Sequence, residues 1–460
     1  MRFDSLDDWL AWQETLNPAE IDLGLERVIQ VMKQAGLATR FNCPLITVAG
    51  TNGKGSIVAM LEAIAGAAGL RVCCYTSPHL FCYNERIHIH QQAVSDATLC
   101  EAFAFIDQQR GAVPLTYFEF GTLAALYLFS RAQADLIILE VGLGGRLDAV
   151  NVMQPSVAVI SSIGIDHTAW LGNSREQILR EKAGIFRAQT PAICGDRQPP
   201  ASLFSLTRQL GANLNLLGRD YDFSPHDNDW DFHGPYGDVM HLPIPALKGE
   251  FQLNNAATAI LALQCLQFRP LPQQALSQKV LAEKKIADKI TIPPAAIAAG
   301  LQHCRLAAHF ETLRVSPLVQ VDVAHNPQAA EVLAALLNEP LPATQADAAT
   351  DRGKTCAIIA MLADKDVAQV VECLKPCIDI WCLAGLPQVS RGLSVEALRK
   401  RVQNSLSGVK LQSAETVTQA CMQMHQQLNK NDRLIIFGSF YTAAQAIDFY
   451  ASDFYASFED

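Results

Sequence analysis

The chain has no uninterrupted apolar run near the roughly 20 residues that cross a bilayer, although half of its 460 residues are hydrophobic. No membrane-spanning helix is expected. Nor is there an excess of positive charge: 36 Lys and Arg stand against 46 Asp and Glu, a net charge of −10. This argues against a general nucleic-acid partner or an anionic membrane surface, since both demand a basic footprint. A cysteine pairing pattern is also missing, because thirteen, an odd number, are scattered along a long chain. They suit buried thiols in a reducing cytoplasm, not a disulfide framework. Cys373, Cys377 and Cys382 have the spacing of neither a zinc ribbon nor a finger, and read as core thiols. Met1-Arg2-Phe3-Asp4 opens a polar, tryptophan-bearing helix and lacks the pattern of a signal peptide. No internal repeat is visible. The length and apolar content suffice for two or three domains with real cores.

Against these absences stands Ala49-Gly50-Thr51-Asn52-Gly53-Lys54-Gly55-Ser56. It follows the short apolar run 44–48 and precedes a helix-like segment from Ile57. Strand, glycine turn and helix N-terminus together make an anion site, because free amides point into the loop and the helix dipole favours negative charge. Glycines let the backbone close around phosphate oxygens, and Lys54 can neutralise them. The ordinary phosphate loop has Ser or Thr directly after its lysine. Gly55 intervenes here before Ser56, so the loop is a variant. A glycine turn beside a surface lysine is the bland alternative.

The first 200 residues alternate strand and helix. Strands are expected at 45–49, 71–75, 136–141 and 156–163, with helices at 57–68, 96–109 and 119–132. That is the pattern of a parallel α/β sheet. Residues 212–245 lack helical periodicity and suggest short antiparallel strands at the sheet edge; a helix follows at 253–267. The lysine run Lys279–Lys289 reads as a solvated helix and linker. A second α/β series follows, with strands near 318–323, 355–361, 378–383 and 433–437, and an exposed loop at 338–353. Ligands of open α/β sheets gather at strand carboxyl ends, which marks Asp322, His325 and Ser439 in the second series.

In the first series, Ser77 ends the second strand, where its hydroxyl could serve magnesium; His79 is an alternative donor, and a plain proline turn is the other reading. Glu140 ends an apolar strand and is followed by Gly142, Gly144, Gly145, Arg146 and Asp148. Magnesium takes oxygen ligands and keeps waters, so Glu140 is a good candidate. His167, in Gly164-Ile165-Asp166-His167, could bind metal or orient a phosphate. Lys182, taken alone, is a helix-surface lysine.

These motifs, with Arg180–Arg187 and Asp322-Val323-Ala324-His325-Asn326-Pro327, occur in one order from about residue 20 to 445. Together they resemble the Mur-ligase-like ATP-dependent amide ligases, in particular the bacterial folylpolyglutamate synthases that are often also dihydrofolate synthases. The resemblance implies an α/β protein: a phosphate-loop ATPase domain, 1–305, and a smaller Rossmann-like domain, 306–460, with the active site between them. It implies an acid–amino-acid ligase that uses ATP and Mg2+. Thr51, Asn52, Gly53, Lys54, Gly55 and Ser56 would hold the phosphates, with Asn255 and Asp322 on the nucleotide. Ser77, Glu140 and His167 would ligate magnesium. Lys182 matches a lysine carbamylated by carbon dioxide, which overturns its surface reading. His325 and Ser439 would handle glutamate. Leu23, Gly24 and Leu25, then Thr116, Tyr117, Phe118 and Glu119, and finally Leu147, Asp148 and Ala149 would surround the pterin-bearing acceptor. The implied substrates are dihydropteroate, folates and L-glutamate; the implied state is a cytoplasmic monomer.

One position departs from the family pattern. Where an arginine reaching ATP is usual, Leu306-Ala307-Ala308-His309-Phe310 places His309, with Arg305 four residues earlier as a possible substitute. Imidazole lacks the planar, permanently charged fork of arginine. This keeps a degenerate nucleotide-binding regulator as the rival reading. A peptidoglycan-precursor ligase, the other rival, is not expected, because it needs a UDP-binding domain before a phosphate loop that is reached here by residue 50.

Overall fold

The structure, a computed structural model, describes residues 2–17, 21–268, 290–339 and 353–452. The lysine run and most of the expected loop at 338–353 fall outside the described residues. The chain divides into two compact units: Met1–Gly164 with Leu171–Arg305, and Ile165–Trp170 with Leu306–Asp460.

The strands of the first unit are β1 (Leu45–Ala49), β2 (Val72–Tyr75), β3 (Ile87–Ile89), β4 (Gln92–Ala93), β5 (Leu136–Glu140), β6 (Val157–Ile160), β7 (Pro191–Cys194), β8 (Asn213–Leu216), β9 (Asp222–Pro225), β10 (Asp229–His233) and β11 (Val239–Pro243). Eight form one sheet in the order β4-β3-β2-β5-β1-β6-β7-β8. From β2 to β8 all pairings are parallel; β3 and β4 add an antiparallel edge. The central strands are apolar on both faces and wholly buried, as a parallel sheet covered by helices requires. The phosphate-loop strand β1 lies between β5 and β6, so three candidate segments leave neighbouring carboxyl ends.

Two details differ from the sequence reading. The helix expected from 57 begins at Lys54, because Gly53, at φ +82°, turns the chain straight into it. The antiparallel strands expected at the edge of the main sheet form a separate sheet, β11-β10-β9; of the strands in 212–245 only β8 joins the main sheet, at the edge opposite β4 and parallel to β7. Asn213 and Asn215 alternate with Leu214 and Leu216 there, so this half-exposed strand lacks the continuous apolar run of its neighbours. Trp230 and Phe232 on β10 are fully buried, giving the small sheet its own apolar face.

The second unit holds β12 (Glu311–Val315), β13 (Leu318–Asp322), β14 (Thr355–Ile359), β15 (Ile380–Ala384), β16 (Lys410–Ala414) and β17 (Arg433–Phe437). Their order is β12-β13-β17-β14-β15-β16, parallel except for β12. Alternate residues Ala357, Ile359, Trp381, Leu383, Ile435 and Phe437 meet Leu333, Val370, Val371 and Leu398 from three helices. The intervening Ile358, Cys382, Leu434 and Ile436 are equally buried on the opposite face. This is an open, doubly covered sheet, which places its loops at the strand carboxyl ends.

Candidate active site

In the first unit, Val48 pairs in register with Glu140, so the carboxylate stands beside the strand residue that leads into the phosphate loop. The loop is braced by the segment after β6. Thr51 N donates to Ser162 O at 2.9 Å, Asn52 N to Ser162 Oγ at 3.0 Å, and Thr51 Oγ1 to Gly164 O at 3.0 Å. Gly164 N returns a bond to the same Thr51 hydroxyl at 2.9 Å. Thr51 and Asn52 therefore shape the loop with groups that the sequence reading assigned to phosphate. Lys54 Nζ folds back on the carbonyls of Gly50 and Thr51 at 3.2 and 3.3 Å. The helix Lys54–Ala67 has no side-chain cap and no acidic residue in its first turn, which leaves the amides and dipole of its N-terminus facing the loop.

Gly53 has a steric reason besides its positive φ. A Cβ there would lie 2.7 Å from Asn255 Oδ1. Asn255 is thus packed on the phosphate loop. Its Nδ2 donates to Gln252 Oε1 at 2.9 Å, and Gln252 Nε2 donates to Ser56 Oγ at 3.3 Å. Gln252 was missed in the sequence, although it stands three residues before Asn255 on the same helix face. It leaves the Ser56 hydroxyl engaged within the fold.

Glu140 is buried, and its Oε2 accepts the Ser77 amide at 3.2 Å. Burial raises its pKa; Lys54, the Ser77 amide and Arg86 offset this only in part. A buried carboxylate so close to a serine, and short of compensating charge, fits a hard divalent cation that takes oxygens and keeps waters. Among the described residues no cluster of three His, Cys, Asp or Glu forms a metal site. The three cysteines 373, 377 and 382 are free thiols. His79, the alternative donor, accepts Arg86 Nε at 2.8 Å on Nδ1, and burial beside that arginine lowers its pKa to about 4.

The segments that the sequence reading assigned to the acceptor also converge. Thr116 and Glu119 form a reciprocal capping box at the start of Tyr117–Arg131. Arg27 pairs with Glu119 at 3.0 Å and with Asp22 at 2.6 Å, joining the 116–119 segment to the one carrying Leu23, Gly24 and Leu25. Phe118 packs over Gly142, where a Cβ would lie 2.7 Å from the ring, and 5.8 Å from the Tyr75 ring. Asp148 is buried, precedes the turn Ala149–Val152, and accepts the amides of Leu143 and Val150 at 2.9 and 3.0 Å. Burial pushes its pKa up to about 7. Lys182 is only 3% exposed, at odds with a surface lysine. Arg146 reaches Glu181 of the same helix at 3.0 Å.

In the second unit, Asp322 and Phe437 pair in register, so the loops bearing His325 and Ser439 leave one end of the sheet. Asp322 accepts the amides of Phe310 and Ala324 at 2.8 and 2.7 Å. Burial raises its pKa, with the His309 charge as the chief offset. His309 thus lies beside Asp322; its Nδ1 meets Ala307 O at 2.7 Å. Arg305 Nη1 donates to Gln302 O and Cys304 O at 2.9 Å, just past the end of the helix Pro294–His303. Ser439 is buried and caps Phe440–Ala451, accepting Thr442 N at 3.0 Å, so its hydroxyl has a structural task.

His325 and His167 meet at Asp166. His325 Nε2 lies 3.4 Å from Asp166 Oδ2, and His167 N donates to Oδ1 at 2.7 Å. Lys365 Nζ donates to Oδ1 at 2.6 Å and Asn326 Nδ2 to Oδ2 at 3.2 Å. Burial alone would raise the Asp166 pKa, but His325, His167 and Lys365 reverse this and hold it far below the carboxylate range. Neither Asp166 nor Lys365 was singled out in the sequence; the signal was an Asp directly before a candidate histidine.

An uncapped phosphate loop, a buried strand-end acid and a second Rossmann-like unit define a class. Residues 48–263 match the Mur ligase middle domain and 310–440 the Mur ligase glutamate ligase domain. The chain belongs to the Mur ligase family. It is 39% identical over 444 residues to the dihydrofolate synthase/folylpolyglutamate synthase of Escherichia coli, covering 96% of this chain and 95% of that protein. It is 30% identical to the folylpolyglutamate synthase of Lacticaseibacillus casei, covering 76% and 78%. Among solved structures, E. coli FolC in complex with DHPP and ADP superimposes with a TM-score of 0.84 at 37% identity, over 99% of both chains. A bifunctional folylpolyglutamate synthase/dihydrofolate synthase with Mn, AMPPNP and L-glutamate bound gives 0.80 at 39% identity, over 96% and 97%.

Proposed function

We infer that the protein is an ATP-dependent ligase that joins L-glutamate to dihydropteroate and to folates. The register of β1 against β5 carries this reading, because it sets the buried Glu140 beside the phosphate loop. A carboxylate does not react with an amine at neutral pH, since its oxygen leaves poorly. Attack of the acceptor carboxylate on the γ-phosphorus of ATP expels ADP and forms an acyl phosphate. The glutamate amine then attacks the acyl carbon, loses its proton, and phosphate leaves. Lys54 and the amides at the start of its helix are assigned to the charge on the transferring phosphoryl group. Ser77, Glu140 and His167 are assigned to hold magnesium, which when bound neutralises phosphate charge and orients the phosphates. Asn255, Asp322 and His309 are assigned to the nucleotide. His325 and the Ser439 helix start are assigned to glutamate, and 23–25, 116–119 and 147–149 to the pterin acceptor. Lys182 is assigned as the carbamylated lysine; it is buried, so it is not the surface side chain that its helix suggests.

The E. coli relative is named for both synthase activities, which favours a working ligase over a degenerate regulator. Among the described residues no helix is long and apolar enough to cross a membrane. A cytoplasmic monomer is the state proposed. Purified protein given ATP, magnesium, glutamate and either dihydropteroate or a reduced folate should release ADP and phosphate only when all are present. Release with neither acceptor would defeat the assignment.

A further inference from the structure

Asp166 gathers groups from three separated stretches of the second unit: His167 on its own segment, His325 and Asn326 after β13, and Lys365 after β14. His325 is oriented on its other side, where Nδ1 donates to Val323 O at 2.8 Å and turns Nε2 toward Asp166. Asn326 is likewise fixed, its Oδ1 accepting Ala329 N at 2.9 Å as the cap of Pro327–Asn338. His167 has φ +51°, a left-handed backbone that a non-glycine residue holds only when its surroundings over-determine it. The bond from the His167 amide to Asp166 Oδ1 supplies that determination, and Lys365 pins the same oxygen.

A buried ion pair is weak as a source of stability, because desolvation cancels much of the attraction; its better-attested use is to specify one arrangement. We propose that Asp166, with Lys365 as its fixed counter-charge, is a positioning residue that sets the backbone of His167 and the ring of His325 for the ligase reaction. It touches no substrate in this role. The proposal rests on the reading of His167 as a metal ligand, and it belongs with the outer partners whose loss costs metal affinity by about 10- to 100-fold.

The test measures Mn2+ affinity of the full chain with a non-hydrolysable ATP analogue by electron paramagnetic resonance, beside thermal melting and the split of kcat from KM for magnesium and ATP. Asp166→Asn should weaken Mn2+ binding at least tenfold and raise the magnesium requirement in parallel, with KM for ATP little changed. The double variant Asp166→Asn with Lys365→Met removes both charges, so it should recover melting temperature while Mn2+ affinity stays low. Recovery of both, or lost melting temperature with unchanged Mn2+ affinity in either variant, would overturn the proposal. His167→Ala separates the two levels: if it leaves Mn2+ affinity intact, the metal-ligand reading itself falls. If it weakens binding and Asp166→Asn does not, only the positioning role falls.

Discussion

The backbone amide of Ser77 donates to the buried carboxylate of Glu140 at 3.2 Å, tying the ends of β2 and β5 into one oxygen-rich corner. Glu140→Gln keeps the shape and an acceptor for that amide but removes the charge. It should lower kcat by at least about a hundredfold, since metal-assisted charge stabilisation is worth several kcal/mol. Melting temperature should hold or rise, because the native carboxylate is desolvated. Steady-state kinetics and calorimetry on the same preparation check both halves.

Gly53 carries two demands at once, a φ of +82° and contact with Asn255. Gly53→Ala should cost about 1–2 kcal/mol from the left-handed backbone alone, and the methyl must also displace the Asn255 amide. ATP-analogue affinity, measured by calorimetry, should fall more than that of Gly69→Ala, whose site has a similar φ and open space around it.

Asp148 titrates near neutrality, at about 7. Its folded-state pKa is raised, so its contribution to stability is complete below the ordinary carboxylate range and is lost as pH rises through about 7. Denaturant midpoints should therefore fall between pH 5 and pH 8 by a component that Asp148→Asn removes. If the residue faces the pterin acceptor, KM for dihydropteroate should bend near pH 7 in the native protein and lose that bend in the variant, while KM for ATP shows neither.

His309 sits beside Asp322, whose buried carboxylate already holds two backbone amides. His309→Arg adds a permanent charge to a corner that is otherwise built, so turnover should stay within a few-fold and KM for ATP should fall. A large gain in turnover would mean that the native site is impaired.

Much of this architecture is legible because it is local. β1, the phosphate loop and its helix are contiguous, and a buried parallel strand such as β5 announces itself as an apolar run ending in an acid. Thr116-x-x-Glu119 is equally a capping signature, so its structural task could have been read beside the substrate one. β12 and β16 were not foreseen: Glu311–Val315 and Lys410–Ala414 are half-exposed edge strands of mixed polarity. Lys182 looked like a surface residue because Arg175–Ala183 is strongly polar, and only tertiary packing buries it. The Asp166–Lys365 pair joins residues 199 positions apart, a distance over which no periodicity carries information.

Arg27 has a bearing on how such a protein could diversify. Its guanidinium is shared by Asp22 and Glu119, so two stretches far apart in the chain lean on a single cation. A substitution that reshapes one stretch transmits its disturbance to the other. Selection for a different acceptor would then meet the two as one heritable module, and changes in them should arrive together.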